Sequence, residues 1–194
     1  MNRKERRELE RRWRKSTERA FPSASVIHRY LNKFHNDEQE KYRVKGKAFI
    51  PANNELLDGL VNINSIFANF IQAKNPVKTA TLDQDATLSE TSKDSAYYCY
   101  KKFKAYQPFN TYWHEQELLL HSEFRDGNVP ANFRLLPFLK ESLDKLPKGV
   151  NKAYLRSDTA GYQEDILLYC SEKHERFGKI KFSVSAKISP SLKE

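Results

Sequence analysis

The sequence predicts an α/β fold: a mixed sheet with helices on its faces, behind a helical N-terminal region. Three observations predict it. Apolar residues recur at three- and four-residue spacing up to about residue 76. Extended segments then follow one another through residue 124, and helical and extended patterns alternate from residue 135 onward. Consecutive strands joined by short gaps pair antiparallel, whereas strands separated by helices pair parallel, so this order requires a mixed sheet.

Residues 3–19 are rich in Arg, Glu and Lys, all good helix formers, with opposite charges at helical spacing, as Glu8 with Arg11 and Arg12. Beyond Leu9 and Trp13 there is no apolar stripe, so this is a solvated arm or a phosphate-contacting one. Phe21-Pro22-Ser23 interrupts it, and Ser23 is placed to cap a short helix reaching about Asn36. Val26, Ile27, Tyr30, Leu31 and Phe34 share one face of that helix. Residues 37–50 read as a polar loop, and Asn53 is placed to cap the next helix. Leu56, Leu60, Ile63, Phe67, Phe70 and Ile71 mark it as strongly amphipathic, and Asn75-Pro76 stops it.

KTATLDQDATL (78–88) alternates and is rich in Thr, and reads as a strand. Residues 97–107 are aromatic and read as extended. FNTYW (109–113) and ELLLHSEF (117–124) follow, and RDGN (125–128) reads as a turn. Leu135, Phe138, Leu139, Leu143 and Leu146 give a helix with Pro137 in its first turn. A strand (152–157), a helix (about 162–173) and a last strand (179–186) complete the order, which is that of a ribonuclease-H-like sheet. Such sheets carry carboxylates on the first strand and at the end of the fourth.

Composition narrows the function. With 39% hydrophobic and 12% aromatic residues, the chain is not intrinsically disordered. No apolar run is long enough for a transmembrane helix, and MNRKERRELE has no apolar core of a signal peptide, so a cytoplasmic setting and no membrane partner are expected. Two cysteines, Cys99 and Cys170, make neither a disulfide framework nor a zinc site. The five histidines lack metal-ligand spacing, although His114 and His121 are placed to face each other on neighbouring strands. No phosphate-cradling Gly-Lys-Ser/Thr loop is present. The net charge of +9 favours a polyanionic partner. Arg3, Lys4, Arg6, Arg7, Arg11, Arg12, Arg14 and Lys15 make the N-terminal arm the densest basic stretch and the candidate DNA-binding segment. The aromatic and lysine interleaving of residues 97–106 fits a nucleic-acid surface and a half-buried strand equally well.

Asp85 stands mid-strand, where Asp is disfavoured and costly to desolvate without a partner. Asp83 points to the same face, and Asp158 follows the fourth strand, where ligands gather in sheets with crossovers. Two carboxylates on adjacent strand ends suit hard divalent cations. An exposed strand face, with Asp158 as a helix cap, accounts for the same residues structurally.

TLDQDATLSE, YCYKKFKAYQPFNTYW, LHSEFRDGNVPA and YLRSDTAGYQEDILLYC occur in this order. Together they resemble the DDE-type transposases of bacterial insertion sequences, over roughly residues 45–190. The resemblance implies a helical DNA-binding region (1–76) before a ribonuclease-H-like catalytic core (77–194). It implies cutting of double-stranded DNA at element ends and strand transfer into target DNA, using Mg2+ or Mn2+. Asp85, with Asp83 as the alternative, maps to the first catalytic carboxylate and metal ligand, and Asp158 to the second. Full-length members act as homo-oligomers. The family's third carboxylate, a Glu on a helix after the fifth strand, has no counterpart, because Glu175 precedes that strand and Glu194 is the last residue. The expectation is a C-terminally truncated transposase, inactive alone. The alternatives are a non-catalytic DNA-binding module and a metal-dependent nuclease of the same fold.

Overall fold

The computed structural model describes the backbone of residues 2–16 and 22–186, and the side chains of residues 2–11 and 22–186. The expectations for residues 17–19 and for Glu194, and the side chains of Arg12, Arg14 and Lys15, lie outside the described residues. The chain divides into two compact units, Met1–Asp37 and Glu38–Glu194.

The first unit contains α1 (Arg3–Ser16) and α2 (Ala24–Asn32). Asn2 starts α1 with a reciprocal cap: its Oδ1 accepts from the amides of Lys4 and Glu5, and the Glu5 carboxylate accepts from the Asn2 amide. Ser23 occupies the N-cap of α2 in extended conformation, but its side chain makes no capping bond. The stripe of Val26, Ile27, Tyr30 and Leu31 forms as expected, yet α2 buries no residue.

The second unit begins at Glu38, within α3 (Asp37–Glu40), a single turn where a loop was expected, and continues to α4 (Glu55–Lys74). The cap of α4 is Asn54, which accepts from the Leu57 amide, while Asn53 donates to Asp58 one turn on. The cap therefore lies one residue later than expected. Helix α4 is bonded to the sheet region: Asn64 donates to the Leu119 and Leu120 carbonyls, and Gln72 brackets the Val77 backbone.

Five strands form one sheet: β1 (Thr79–Ala86), β4 (Phe109–Trp113), β5 (Leu118–Glu123), β6 (Lys152–Ser157) and β7 (Lys181–Val184). Two short strands, β2 (Ser89–Glu90) and β3 (Ala105–Tyr106), make a separate ribbon. The sheet order is β5-β4-β1-β6-β7. β1 pairs antiparallel with β4 and parallel with β6, β4 pairs antiparallel with β5, and β6 pairs parallel with β7. A three-strand meander extended by two parallel strands is the ribonuclease-H-like topology. The parallel strands are reached through α5 (Leu135–Asp144) and α6 (Glu164–Ser171), which supply the crossovers.

One face of the sheet builds the core. Leu82, Phe109, Trp113, Leu120 and Leu155 from the strands meet Phe138, Leu139, Leu143, Ile166 and Cys170 from α5 and α6. Gln84 shares the buried face of β1 and is satisfied there, because it donates to Thr111, whose hydroxyl is 2.7 Å from Ser142 on α5. Two expectations fail in detail. Residues 97–104 fold back on themselves: Lys102 is left-handed at φ 67°, and the Cys99 amide bonds the Phe103 carbonyl. The aromatic alternation there reflects a turn with Cys99 inside and Tyr98 and Tyr100 outside. His114 sits in the 3-10 turn between β4 and β5, and His121 pairs with Glu141 on α5, so the two histidines do not face each other.

Candidate functional site

The open face of β1 carries Thr81, Asp83 and Asp85, because Ala80, Leu82 and Gln84 take the core face. The parallel ladder with β6 pairs Asp83 with Arg156 and Gln84 with Ser157. The ladder ends there, and Asp85 and Asp158 are the next residues along each chain segment, Asp158 being the first residue past β6. Both are exposed.

Local chemistry distinguishes the two acids of β1. Asp83 is held by Arg156, whose Nε and Nη2 grip both carboxylate oxygens. Arg156 is raised above its ordinary pKa chiefly by that hydrogen bond. The Asp85 side chain makes no hydrogen bond or ion pair among the described residues.

Asp158 is fixed by its backbone role. It caps the 3-10 turn Thr159–Gly161, its Oδ1 accepting from the Ala160 amide at 2.9 Å. The turn lies hard against β6: a Cβ on Gly161 would come within 2.6 Å of Ser157 Oγ. Glycine is what lets the backbone after Asp158 fold back over the strand end.

Asn110 and Ser122 complete this row. Asn110 is opposite Asp85 on β4, and Ser122 opposite Asn110 on β5, with the Ser122 hydroxyl donating to Asn110 Oδ1 at 2.7 Å. Ser122, Asn110 and Asp85 thus run across three strands on one face. Sequence reading missed the first two. The available signal was the burial of Phe109, Thr111 and Trp113, which turns Asn110 to the open side.

Aspartate oxygens suit hard divalent cations that keep several waters. Neither the Asp85 nor the Asp158 carboxylate forms an ion pair among the described residues. No group of three or more His, Cys, Asp or Glu side chains placed to hold a metal occurs among the described residues.

The FRDGN stretch is structural. Arg125 is fully buried, bonded to Glu123 and stacked against Phe109 with its guanidinium carbon 4.5 Å from the ring centroid. Asp126 takes a bidentate pair from Arg43 at 2.8 Å, and Asn128 donates to the Lys47 carbonyl. A Cβ on Gly127 would fall 2.5 Å from the Ala105 carbonyl oxygen. The motif fastens residues 43–47 and the ribbon of β2 and β3 beside the sheet. In the arm, Arg3, Lys4, Arg6, Arg7 and Arg11 are exposed, and Arg6 faces Glu10 at 3.9 Å.

No family model and no curated protein matches the chain. Among solved structures it is similar to a Drosophila P element transposase strand transfer complex, with TM-score 0.36 and 16% identity. The match covers 86% of this chain and 35% of that one, so the chain spans about a third of that neighbour. A likeness of this size assigns no function. Among the described residues, no helix is long and apolar enough to cross a membrane.

Proposed function

We propose that this chain is a transposase-type DNA-processing core of the insertion-sequence kind, in which Asp85 and Asp158 hold a divalent cation, Mg2+ or Mn2+, at a DNA phosphodiester. The observation that supports it is the β1–β6 ladder, whose last pair, Gln84 with Ser157, immediately precedes these two acids, while Arg156 occupies Asp83. The motif order of the sequence supports it independently. The bound cation would supply Lewis-acid activation of the attacking oxygen and charge stabilisation at the leaving oxygen. Asp85 and Asp158 would position it, Asn110 and Ser122 would line the phosphate approach, and Arg3, Lys4, Arg6, Arg7, Arg11, Arg12, Arg14 and Lys15 would hold the DNA backbone. Homo-oligomerisation and strand transfer belong to the same reading. The capping bond of Asp158 favours a second reading, a DNA-binding module in which the carboxylates only shape the sheet.

Affinity cleavage separates the two without requiring turnover. The full chain is bound to plasmid DNA with Fe2+ and ascorbate, and radicals formed at the ion cut nearby backbone. Cuts near residues 85 and 158, competed by Mg2+ and lost in Asp85→Asn, are expected. Cuts elsewhere, or none, would overturn the cation site.

A further inference from the structure

We infer that the turn at residues 97–104 is a base-stacking platform for single-stranded DNA, with Tyr98 and Tyr100 as the stacking rings and Lys101 and Lys102 as the phosphate contacts. The aromatic residues of this region divide into two sets. Tyr97 is used internally: its hydroxyl donates to the Arg43 carbonyl, and the Arg43 guanidinium lies 5.0 Å from its ring centroid. Tyr106 packs on Phe124 with ring centroids 5.1 Å apart. Tyr98 and Tyr100, by contrast, are 62% and 73% exposed, and neither stacks on another aromatic ring among the described residues. Charge stands beside them. Lys101 and Lys102 are exposed and form no ion pair among the described residues, and Lys101 Nζ lies 5.7 Å from the Tyr100 ring centroid.

The backbone holds the two rings outward before any ligand arrives. Cys99 between them is buried, its amide bonds the Phe103 carbonyl, and its carbonyl accepts from the Lys102 amide, both at 2.9 Å. The Ala105 amide bonds the Tyr97 carbonyl at 3.1 Å, and a Cβ on Gly127 would meet both the Tyr97 and Ala105 carbonyls. A platform fixed in this way loses little freedom on binding. Its chemistry selects the occupant. The exposed residues of 97–104 are Tyr98, Tyr100, Lys101 and Lys102 alone, and the segment contains no acid. Protein interfaces deplete lysine, and bilayer surfaces are met by Trp, Phe or Leu anchors. Planar rings among lysines match nucleotides, since every base has a π face and every nucleotide a phosphate. Bases of a duplex stack on each other, so the rings take unpaired ones. The choice of DNA rests on the function proposed above, in which DNA strands are cut; the stacking itself needs no cation.

The test uses the full chain in EDTA, so no cation takes part and the outcome is separate from that of the cation site. Fluorescence anisotropy on a labelled single-stranded DNA should show Tyr98→Leu/Tyr100→Leu binding about 10-fold or more weaker than wild type, the size of a lost base stack. On an abasic strand of the same length the two chains should bind alike, because only phosphates remain and the basic arm is common to both. Lys101→Gln/Lys102→Gln should instead lower the log–log salt slope by about 0.7 per lost contact. Both tyrosines are exposed, so the far-ultraviolet circular dichroism of their variant should match wild type. A fluorescent adenine analogue in the strand reads stacking on the unaltered protein, through quenching on binding. Equal single-strand binding by wild type and the tyrosine variant, an unquenched analogue, or the same loss on the abasic strand would each overturn the proposal. So would tighter binding of an RNA strand of the same sequence, or tyrosine-dependent capture by phosphatidylserine vesicles in place of DNA.

Discussion

Asp83 and Asp85 are two residues apart on one strand face, yet their surroundings differ completely. The bidentate grip of Arg156 makes Asp83 an anchor between β1 and β6, whereas the Asp85 side chain forms no ion pair among the described residues. Asp83→Asn should therefore leave divalent-ion binding within about twofold of wild type, and calorimetric titration with Mn2+ checks this. The sequence could rank these acids but not separate them, because Arg156 lies 73 residues away and meets Asp83 only through the strand register. A second residue-scale effect concerns His121, stacked on Phe138 with ring centroids 4.5 Å apart. Burial, then the positive charges of Lys145 and Arg134, push it down to about 4, although Glu141 pulls the other way. Its folded pKa lies below the unfolded value, so the unfolded chain binds the proton more readily. Stability should be unaffected by this group above pH 6.5 and should fall as pH drops from 6.5 towards 4. Urea denaturation at pH 7 and pH 4.5 should show that loss in wild type and a smaller one in His121→Gln.

At the scale of elements, β6 and α5 were legible because their patterns are pure. Strand 152–157 matches its expected span, and α5 keeps Pro137 in its first turn, where a missing amide costs nothing. Phe138 on α5 is fully buried against Phe109. Phe138→Ala should cost about 3–5 kcal/mol in denaturant unfolding, through lost burial and a cavity. The turn after Asp158 was read only as the start of a helix, since a close approach of backbone to Ser157 leaves no trace in composition. Gly161→Ala should force the Thr159–Gly161 turn off β6. It should weaken Mn2+ binding by moving Asp158 while leaving the Asp83–Arg156 pair, and calorimetry on this variant beside Asp83→Asn reads the difference. Residues 97–104 were misread because alternating aromatics are common to half-buried strands and to tight turns with one side packed. The left-handed Lys102 that decides between them is invisible at a lysine.

For the whole molecule, the five-strand order followed from element order alone, because a meander and two crossovers leave few ways to build a mixed sheet. Which apolar faces are covered did not follow. The stripes of α2 and α4 read as amphipathic, and both are exposed, since periodicity reports that a face is apolar and not what meets it. The basic arm acts at this scale too. Residues 2–20 hold nine of the basic residues, and if several meet phosphates the log–log slope of DNA affinity against salt is about −0.9 per contact. Deleting residues 2–20 should flatten that slope, and fluorescence anisotropy on a labelled duplex measures it. The central claim remains the pairing of Asp85 with Asp158, and Mn2+ binding followed by electron paramagnetic resonance tests it most directly. Wild type and Asp83→Asn should bind alike, in the millimolar range expected of two carboxylates with water completing the shell. Asp85→Asn and Asp158→Asn should each lose about tenfold or more, with Asn retaining the cap at residue 158. Equal Mn2+ binding by wild type and the Asp85→Asn/Asp158→Asn double variant would contradict the site.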